Sequence, residues 1–282
     1  MLLNTAAQTR RYLITIYGAS GTGKTTLGTT APKPLFLLTE RQGYESIRDA
    51  SGVTPPTFFI GSYLDLRAAI MILRSSKSPI ADLIAHFVPE EERDAALAAM
   101  PYLVPETIVL DSLTEAFALV SSGVEKDSPA KIAKDGLPER GMRATGAIID
   151  RCIGLLRTLR DLLANDYHVL LLSHLDDRDV GEGDSKSRVI GPTAPMRRIG
   201  AQIPHVSNAV GISERRKRVK ARREGDEQHQ TETVWCVNFS GSDWMITKSI
   251  HGLRDIEHAD VGKWLARINQ TCKTTDSKEQ SQ

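Results

Sequence analysis

An eight-residue stretch near the N-terminus combines glycines, a lysine and a hydroxyl at the spacing that holds a phosphate group. Residues 18–25 read Gly-Ala-Ser-Gly-Thr-Gly-Lys-Thr and fit the pattern G-x-x-x-x-G-K-S/T throughout. Glycines let consecutive backbone N–H groups turn inward around an anion, and the following helix adds its positive dipole end. Lys24 can place its charge on the β- and γ-phosphates of a nucleotide, and the Thr25 hydroxyl can ligate Mg²⁺. The alternative, a glycine-rich turn that binds nothing, is disfavoured by the full match.

The predicted phosphate loop extends one residue beyond the motif. Its members are Gly18, Ala19, Ser20, Gly21, Thr22, Gly23, Lys24, Thr25 and Thr26. The predicted ligand is ATP with Mg²⁺.

Two acidic residues each follow an apolar run that predicts a buried strand. Asp111 ends the run that starts at Thr107, and we expect it to hold Mg²⁺ together with Thr25, directly or through water. Glu40 follows the run 35–39 and is a candidate for orienting the water that attacks a phosphate, although an ordinary solvated loop glutamate fits the pattern as well. Glu115 is a further metal candidate, but its position predicts a place on the following helix.

His174 ends a third run of this kind, which begins at His168. A polar side chain at such a strand tip can sense the γ-phosphate. A histidine that only caps the strand is the alternative.

The rest of the chain predicts the elements that must position these side chains. Apolar runs and helical spacing of apolar residues indicate alternating strands and helices, with two polar loops between them. We predict strands over 12–17, 35–39, 107–111, 168–172 and 206–212, a short extended piece over 55–60, a last short strand over 244–248, helices over 25–30, 63–75, 144–164 and 260–268, a helical insert over 78–102, polar loops over 121–143 and 176–195, and a disordered tail over 269–282. Residues 1–268 are predicted to form one domain.

The densest basic stretch of the chain follows the fifth predicted strand. Seven Lys or Arg residues lie between Arg215 and Arg223, and residues 231–239 predict a returning strand, so the two form a β-hairpin. A basic hairpin of this kind can bind a polyanion. The alternative is a solvated edge hairpin whose charges protect the exposed edge of the sheet. We expect it to lie outside the phosphate loop. The candidate nucleic-acid contacts are Arg140 and Arg143 in the first polar loop and Arg216, Arg218, Lys220 and Arg222 in the hairpin.

Composition limits the classes of function. The 282 residues are 40% hydrophobic and 25% charged, which is ordinary for a globular protein. A net charge of +1 gives no overall field that attracts DNA or a membrane, so any nucleic-acid contact needs a local patch. The three cysteines are far apart in sequence and predict neither a zinc site nor a disulfide framework. With no apolar stretch of signal-peptide or membrane-span length, we expect a cytoplasmic protein that does not engage membranes.

The order of phosphate loop, Glu40, Asp111 and His174, each after a strand, resembles the RecA-like core of P-loop ATPases. The segments APKPLFLLTERQG, TIVLDSLTEAF and HVLLLSHLDD are similar to phage-encoded, core-only RecA-like proteins of single-strand annealing and recombination. The resemblance implies a three-layer α/β fold with a mainly parallel sheet, strand order 5-1-4-3-2 and an antiparallel extension by the hairpin. It also implies that Glu40 activates water and that His174 senses the γ-phosphate.

The same resemblance implies partners. They are single-stranded DNA, further copies of the chain and a single-strand-binding protein, in the host cytoplasm if the protein is phage-encoded. Lys248 and Arg254 lie where some members place basic residues that reach a neighbouring subunit's nucleotide. The leading function is therefore an ATP-dependent recombination or annealing protein. An ATP-regulated binding module with negligible turnover and a motor or packaging NTPase are the alternatives.

Overall fold

The computed structural model describes residues 10–50, 52–127, 131–132, 138–139, 142–180, 187–219 and 231–279. Within these ranges the strands are β1 (Leu13–Gly18), β2 (Pro34–Leu38), β3 (Thr57–Phe59), β4 (Thr107–Asp111), β5 (Lys131–Ile132), β6 (Pro138–Glu139), β7 (His168–Val180), β8 (Ser187–Pro192), β9 (Ala209–Val219), β10 (Thr231–Asn238) and β11 (Ile256–His258). The α-helices are α1 (Lys24–Thr29), α2 (Gly43–Ala50), α3 (Tyr63–Ser75), α4 (Pro79–Phe87), α5 (Arg93–Ala98), α6 (Leu113–Asp127), α7 (Met142–Asp161), α8 (Arg197–Gly200), α9 (Ile203–Val206) and α10 (Val261–Glu279).

One large sheet carries the fold. Its strand order is β11-β10-β9-β1-β7-β4-β2-β3, with β8 paired to β7 beside this path. The strands from β9 to β3 along this path are parallel, whereas β10 and β11 are antiparallel additions. In the order of the chain the first five predicted strands are therefore arranged 5-1-4-3-2, as predicted, and β3 adds an edge strand. The predicted α/β class, with a C-terminal antiparallel extension, is confirmed.

Helices cover both faces of the sheet, and this explains the unbroken apolar runs of its central strands. Every residue of β1, β2 and β4 is buried, as expected for parallel strands enclosed between helical layers. Leu66 of α3, Phe117 of α6 and Leu156 of α7 pack in the core on one face. On the other face, Leu27 of α1 and Trp264 of α10 share a second core.

The two predicted polar loops contain more regular structure than their sequences indicate. Helix α6 continues to Asp127 and α7 begins at Met142, so the interpretation of 121–143 as one loop was wrong at both ends. Strand β7 runs on to Val180 and pairs with β8, so residues 176–180 and 187–192 form antiparallel strands rather than loop. Arg188 donates to Asp177 across these strands from Nε at 2.8 Å. Charged residues that pair across β7 and β8 stand where an alternation of apolar and polar residues would indicate a strand, so the sequence predicted a loop.

The C-terminal region also differs from its prediction. The stretch 244–248 makes only isolated bridges, Ile190 with Met245 and Val210 with Lys248, and the last strand is β11. Helix α10 continues to Glu279 and so runs through most of the predicted tail. Its sequence beyond 268 contains neither Gly nor Pro, the two residues that most disfavour a helix. The assignment of residues 1–268 as a single domain stays a prediction. No helix in the described ranges combines the length and apolar composition needed to cross a lipid bilayer.

Candidate nucleotide-binding site

The sheet brings the predicted chemical groups to one edge. Strands β1, β7, β4 and β2 are parallel neighbours, so the residues at their carboxyl ends meet on the same side of the molecule. The phosphate loop follows β1, Glu40 follows β2, Asp111 ends β4 and His174 lies in β7. Glu40, Asp111 and His174 line one cavity of about 420 Å³. The phosphate-loop residues that share this lining are Ser20, Gly21, Gly23, Lys24, Thr25 and Thr26.

Lys24 lies in the centre of the phosphate loop. Its side chain is buried, and Nζ donates hydrogen bonds of 2.9 Å to the backbone carbonyls of Gly18 and Ala19. Burial lowers the pKa of Lys24, while the carboxylates of Asp111 and Glu40 act in the opposite direction. The ammonium is therefore fixed beside the loop amides, at a point where a phosphate oxygen can replace carbonyl partners.

Thr25 and Asp111 are hydrogen-bonded to each other in the lining of the cavity. The Thr25 hydroxyl donates to Oδ2 of Asp111 at 2.7 Å, and Asp111 is almost fully buried. Burial raises the pKa of Asp111, although the Thr25 hydrogen bond and the charge of Lys24 oppose that shift. Among the described residues no three His, Cys, Asp or Glu side chains are clustered to hold a metal ion. A hydroxyl and one carboxylate suit Mg²⁺, which keeps several waters and takes its other oxygens from phosphates.

Glu40 is held by two hydrogen bonds. Its Oε1 accepts from the Ser112 hydroxyl at 2.6 Å and lies 3.0 Å from Nε2 of His174. Burial alone would raise the pKa of Glu40, but the hydrogen bonds from Ser112 and His174 outweigh it and the pKa is lowered. Glu40 is thus kept as a carboxylate. Sequence reasoning placed Glu40 and His174 in the site separately and missed both their contact and the role of Ser112.

Two further observations fix the surroundings of Glu40. The backbone N–H of His174 donates to Oγ1 of Thr114 at 2.9 Å, which anchors the histidine to the start of α6. Glu115 lies in the first turn of α6, where its N–H donates to the Ser112 hydroxyl. This is the helical position predicted for Glu115, and its side chain is not part of the cavity lining.

The hairpin β9–β10 contacts the phosphate loop, contrary to the expectation that it lies outside it. The Ser213 hydroxyl donates to the carbonyl of Thr22 at 2.8 Å, and the guanidinium of Arg215 donates to the carbonyl of Gly21. Arg215 and Trp235 both line the cavity. Sequence reasoning missed this wall, because it depends on how the strands pair rather than on a local motif.

Gly23 is the loop residue that meets this wall. It has φ 79° and ψ 20°, a left-handed conformation that favours glycine. A Cβ at this position would lie 3.2 Å from Cδ1 of Trp235. Glycine at position 23 therefore meets two requirements, the turn into α1 and the close approach of an indole.

The predicted nucleic-acid residues are only partly within the described ranges. Arg143 is exposed at the start of α7. The guanidinium of Arg216 donates from Nε to Oε2 of Glu214 at 2.9 Å, so a polyanion would have to compete with that carboxylate. Arg218 lies on β9, where only its backbone is described. Arg140, Lys220 and Arg222 fall outside the described residues.

The two basic residues expected to reach a neighbouring subunit have contacts within their own chain. Nζ of Lys248 donates to the carbonyls of Ser207 at 2.6 Å and Pro204 at 3.0 Å. The backbone N–H of Arg254 donates to Glu257 at 2.8 Å. A role for Lys248 in a neighbour's site would require it to exchange these carbonyl partners, and the prediction stays open.

The phosphate loop after β1 and the parallel 5-1-4-3-2 sheet together define a RecA-like P-loop ATPase domain. A family model described as an AAA domain matches residues 10–235. The chain belongs to this AAA-domain family. No curated protein matches the sequence.

Two solved structures with low sequence identity are similar to this chain. The flagellar accessory protein FlaH of Methanocaldococcus jannaschii is 10% identical with a TM-score of 0.38, and the match covers 82% of this chain and 78% of FlaH. An ATPase of the type III secretion system of pathogenic bacteria is 15% identical with a TM-score of 0.34, and the match covers 72% of this chain and 52% of that one.

Proposed function

We propose that this protein is a Mg²⁺-dependent ATPase that uses nucleotide turnover in DNA recombination or single-strand annealing. The observation that supports hydrolysis is the contact of Glu40 with His174 and Ser112 at the same edge of the sheet as Lys24, Thr25 and Asp111. A binding module without turnover needs the phosphate loop, but it has no need of a carboxylate held ionised at the opposite wall.

We assign a role to each group as part of this proposal. Lys24 and the loop amides bind the β- and γ-phosphates, and Thr25 with Asp111 holds Mg²⁺, which neutralises charge on the phosphate oxygens. Glu40 orients a water molecule and accepts its proton as the water oxygen bonds to the γ-phosphorus and the bond to the β–γ bridging oxygen breaks. Both contacts of Glu40 use Oε1, so we expect Oε2 to face that water. With its proton on Nε2, His174 donates to Glu40 and lies where it can respond to the γ-phosphate.

The test is a phosphate-release assay with and without single-stranded DNA and Mg²⁺. We expect turnover that requires Mg²⁺, is lost on chelation with EDTA, and rises when single-stranded DNA is added. ATP binding without release of phosphate under any of these conditions would favour the binding-module alternative. Turnover that DNA does not affect, with no annealing or strand exchange, would favour a motor or packaging role.

The proposed DNA contact is the basic arm of the β9–β10 hairpin. Residues Ile212 to Val219 of this arm pair with β10, so this part of the arm is an extended strand, and its first arginine, Arg215, lines the nucleotide cavity. In an extended arm, alternate residues are about 7 Å apart, near the spacing of phosphates along a stretched single strand. Since the net charge is +1, affinity for a polyanion has to come from such a patch.

Replacing Arg216, Arg218, Lys220 and Arg222 together by serine is expected to weaken the salt dependence of single-stranded DNA binding. Each neutralised phosphate contributes roughly 0.7 to the slope of log K against log salt, so the slope should flatten by up to about three units. Fluorescence anisotropy with labelled single strands of two unrelated sequences, at several salt concentrations, measures this slope. The two sequences should behave alike, because backbone contacts do not read bases.

Arg197 and Arg198 in α8 provide a control for loss of positive charge elsewhere. Their replacement by serine should leave the slope of log K against log salt unchanged. A slope that the four hairpin substitutions do not change would instead assign the basic arm to protection of the sheet edge.

A further inference from the structure

Arg215 and Trp235 form a second wall of the nucleotide cavity, distinct from the groups that the proposed chemistry uses. The two residues are directly paired across β9 and β10. The guanidinium carbon of Arg215 lies 5.9 Å from the centroid of the indole, and its N–H donates to the carbonyl of Gly21. The guanidinium of Arg215 therefore contacts both the phosphate loop and the indole of Trp235.

Trp235 has an indole that is substantially exposed. Its exposed fraction is 45%, whereas Trp264 in the second core is 1% exposed. One edge of the indole is packed against Gly23, and the ring contributes to the lining of the cavity. An indole in this setting offers a flat apolar surface directly beside the phosphate loop.

The strand order places this wall on the side of the loop away from the catalytic groups. Glu40 follows β2, and Asp111 and His174 belong to β4 and β7. These three strands lie to one side of β1, whereas β9 and β10 lie to the other. A triphosphate with its terminal phosphate at Lys24 and Glu40 therefore points its ribose and base toward Arg215 and Trp235. Stacking on an aromatic ring stabilises a bound base, and the effect grows with the area of the base.

We propose that Trp235, oriented by Arg215, is the surface on which the nucleobase stacks, and that this site prefers purine to pyrimidine nucleotides. The inference rests on the proposed function, since it assumes that a nucleotide occupies the phosphate loop. Binding of the base, and not of the phosphates, depends on the β9–β10 hairpin.

The test compares ATP, CTP and inorganic tripolyphosphate as ligands of the full chain by calorimetry. Trp235→Ala should weaken ATP binding about tenfold, which corresponds to about 1.4 kcal/mol. The affinity for ATP should then be close to the affinity for CTP. Its affinity for tripolyphosphate, which has no base, should stay that of the unsubstituted protein. Trp235→Phe keeps an aromatic face and should restore most of the ATP affinity.

Trp244 offers a matched control. It is 41% exposed, close to the value for Trp235, but it lines a different cavity with Ser187, Arg188 and Asp243. Trp244→Ala should leave all three affinities unchanged. Circular dichroism of each variant checks that its fold is retained.

Other outcomes would overturn the inference. Equal losses of ATP and tripolyphosphate in Trp235→Ala would show that the indole only supports the loop through Gly23. Unchanged ATP affinity in that variant, while Lys24→Ala abolishes binding, would place the base elsewhere and leave the proposed function standing. If the unsubstituted protein binds neither ATP nor tripolyphosphate, the proposed function fails together with the inference.

Discussion

Lys24→Ala is expected to weaken ATP binding by about 100-fold or more and to abolish hydrolysis, while the fold is retained. In the structure Nζ is held at the phosphate loop by two carbonyls, and no other described lysine lines the cavity. Hydrogen bonds to charged groups contribute roughly 1.5–3 kcal/mol each, so the loss of contacts to both the β- and γ-phosphates accounts for this magnitude. Calorimetric titration with ATP and a phosphate-release assay measure the two effects.

The same substitution should have little effect on folding. Lys24 is held by the loop's own carbonyls rather than by the core, and burial disfavours its charge. Lys77→Ala provides the control, because Lys77 is an exposed lysine in the connection between α3 and α4. Normal ATP affinity and turnover in Lys24→Ala would contradict the assignment of the site.

Glu40→Gln should retain ATP binding within about twofold and slow hydrolysis by roughly 10²-fold or more, the usual scale for loss of a positioned base. Glutamine keeps an oxygen that can accept from Ser112, so the geometry at 2.6 Å is preserved, but it cannot take a proton from water. The amide also ends the charge-assisted contact with His174. Single-turnover measurements at saturating ATP separate the chemical step from binding.

Glu115→Gln is the matched comparison for Glu40→Gln. Glu115 is another glutamate near Asp111, but it lies in the first turn of α6 and does not line the cavity. We expect its substitution to leave turnover near that of the unsubstituted protein. The opposite pattern, with normal turnover in Glu40→Gln and slow turnover in Glu115→Gln, would transfer the role of base to Glu115.

The parts of the structure that sequence predicted well depend on local patterns. The phosphate loop is a contiguous motif, and the strands that end at Asp111 and before Glu40 are apolar on both faces because helices cover them. Their arrangement in the sheet did not follow from these patterns. It came from the resemblance to RecA-like proteins, and the observed strand order agrees with it.

The parts that sequence missed depend on contacts between distant residues. Arg215 belongs to a basic run and Trp235 to an alternating strand, and neither has a local feature that indicates a place beside Gly23. Only the register that pairs Arg215 with Trp235, together with the parallel pairing of β9 to β1, brings them to the phosphate loop. The hairpin of β7 and β8 was missed for another reason, since ion pairs such as Asp177 with Arg188 replace the apolar alternation.

The docking of α10 on α1 links the opening of the phosphate loop to the far end of the chain. Helix α1 has six residues, too few to be stable alone. The N–H of Val261 donates to the Thr30 hydroxyl at 2.9 Å, and Trp264 packs in the same core as Leu27. The amides of α1 and of the first turns of α10 should therefore exchange with solvent deuterium as one cooperative unit. Clearly different protection of the two helices would show that the loop opens independently.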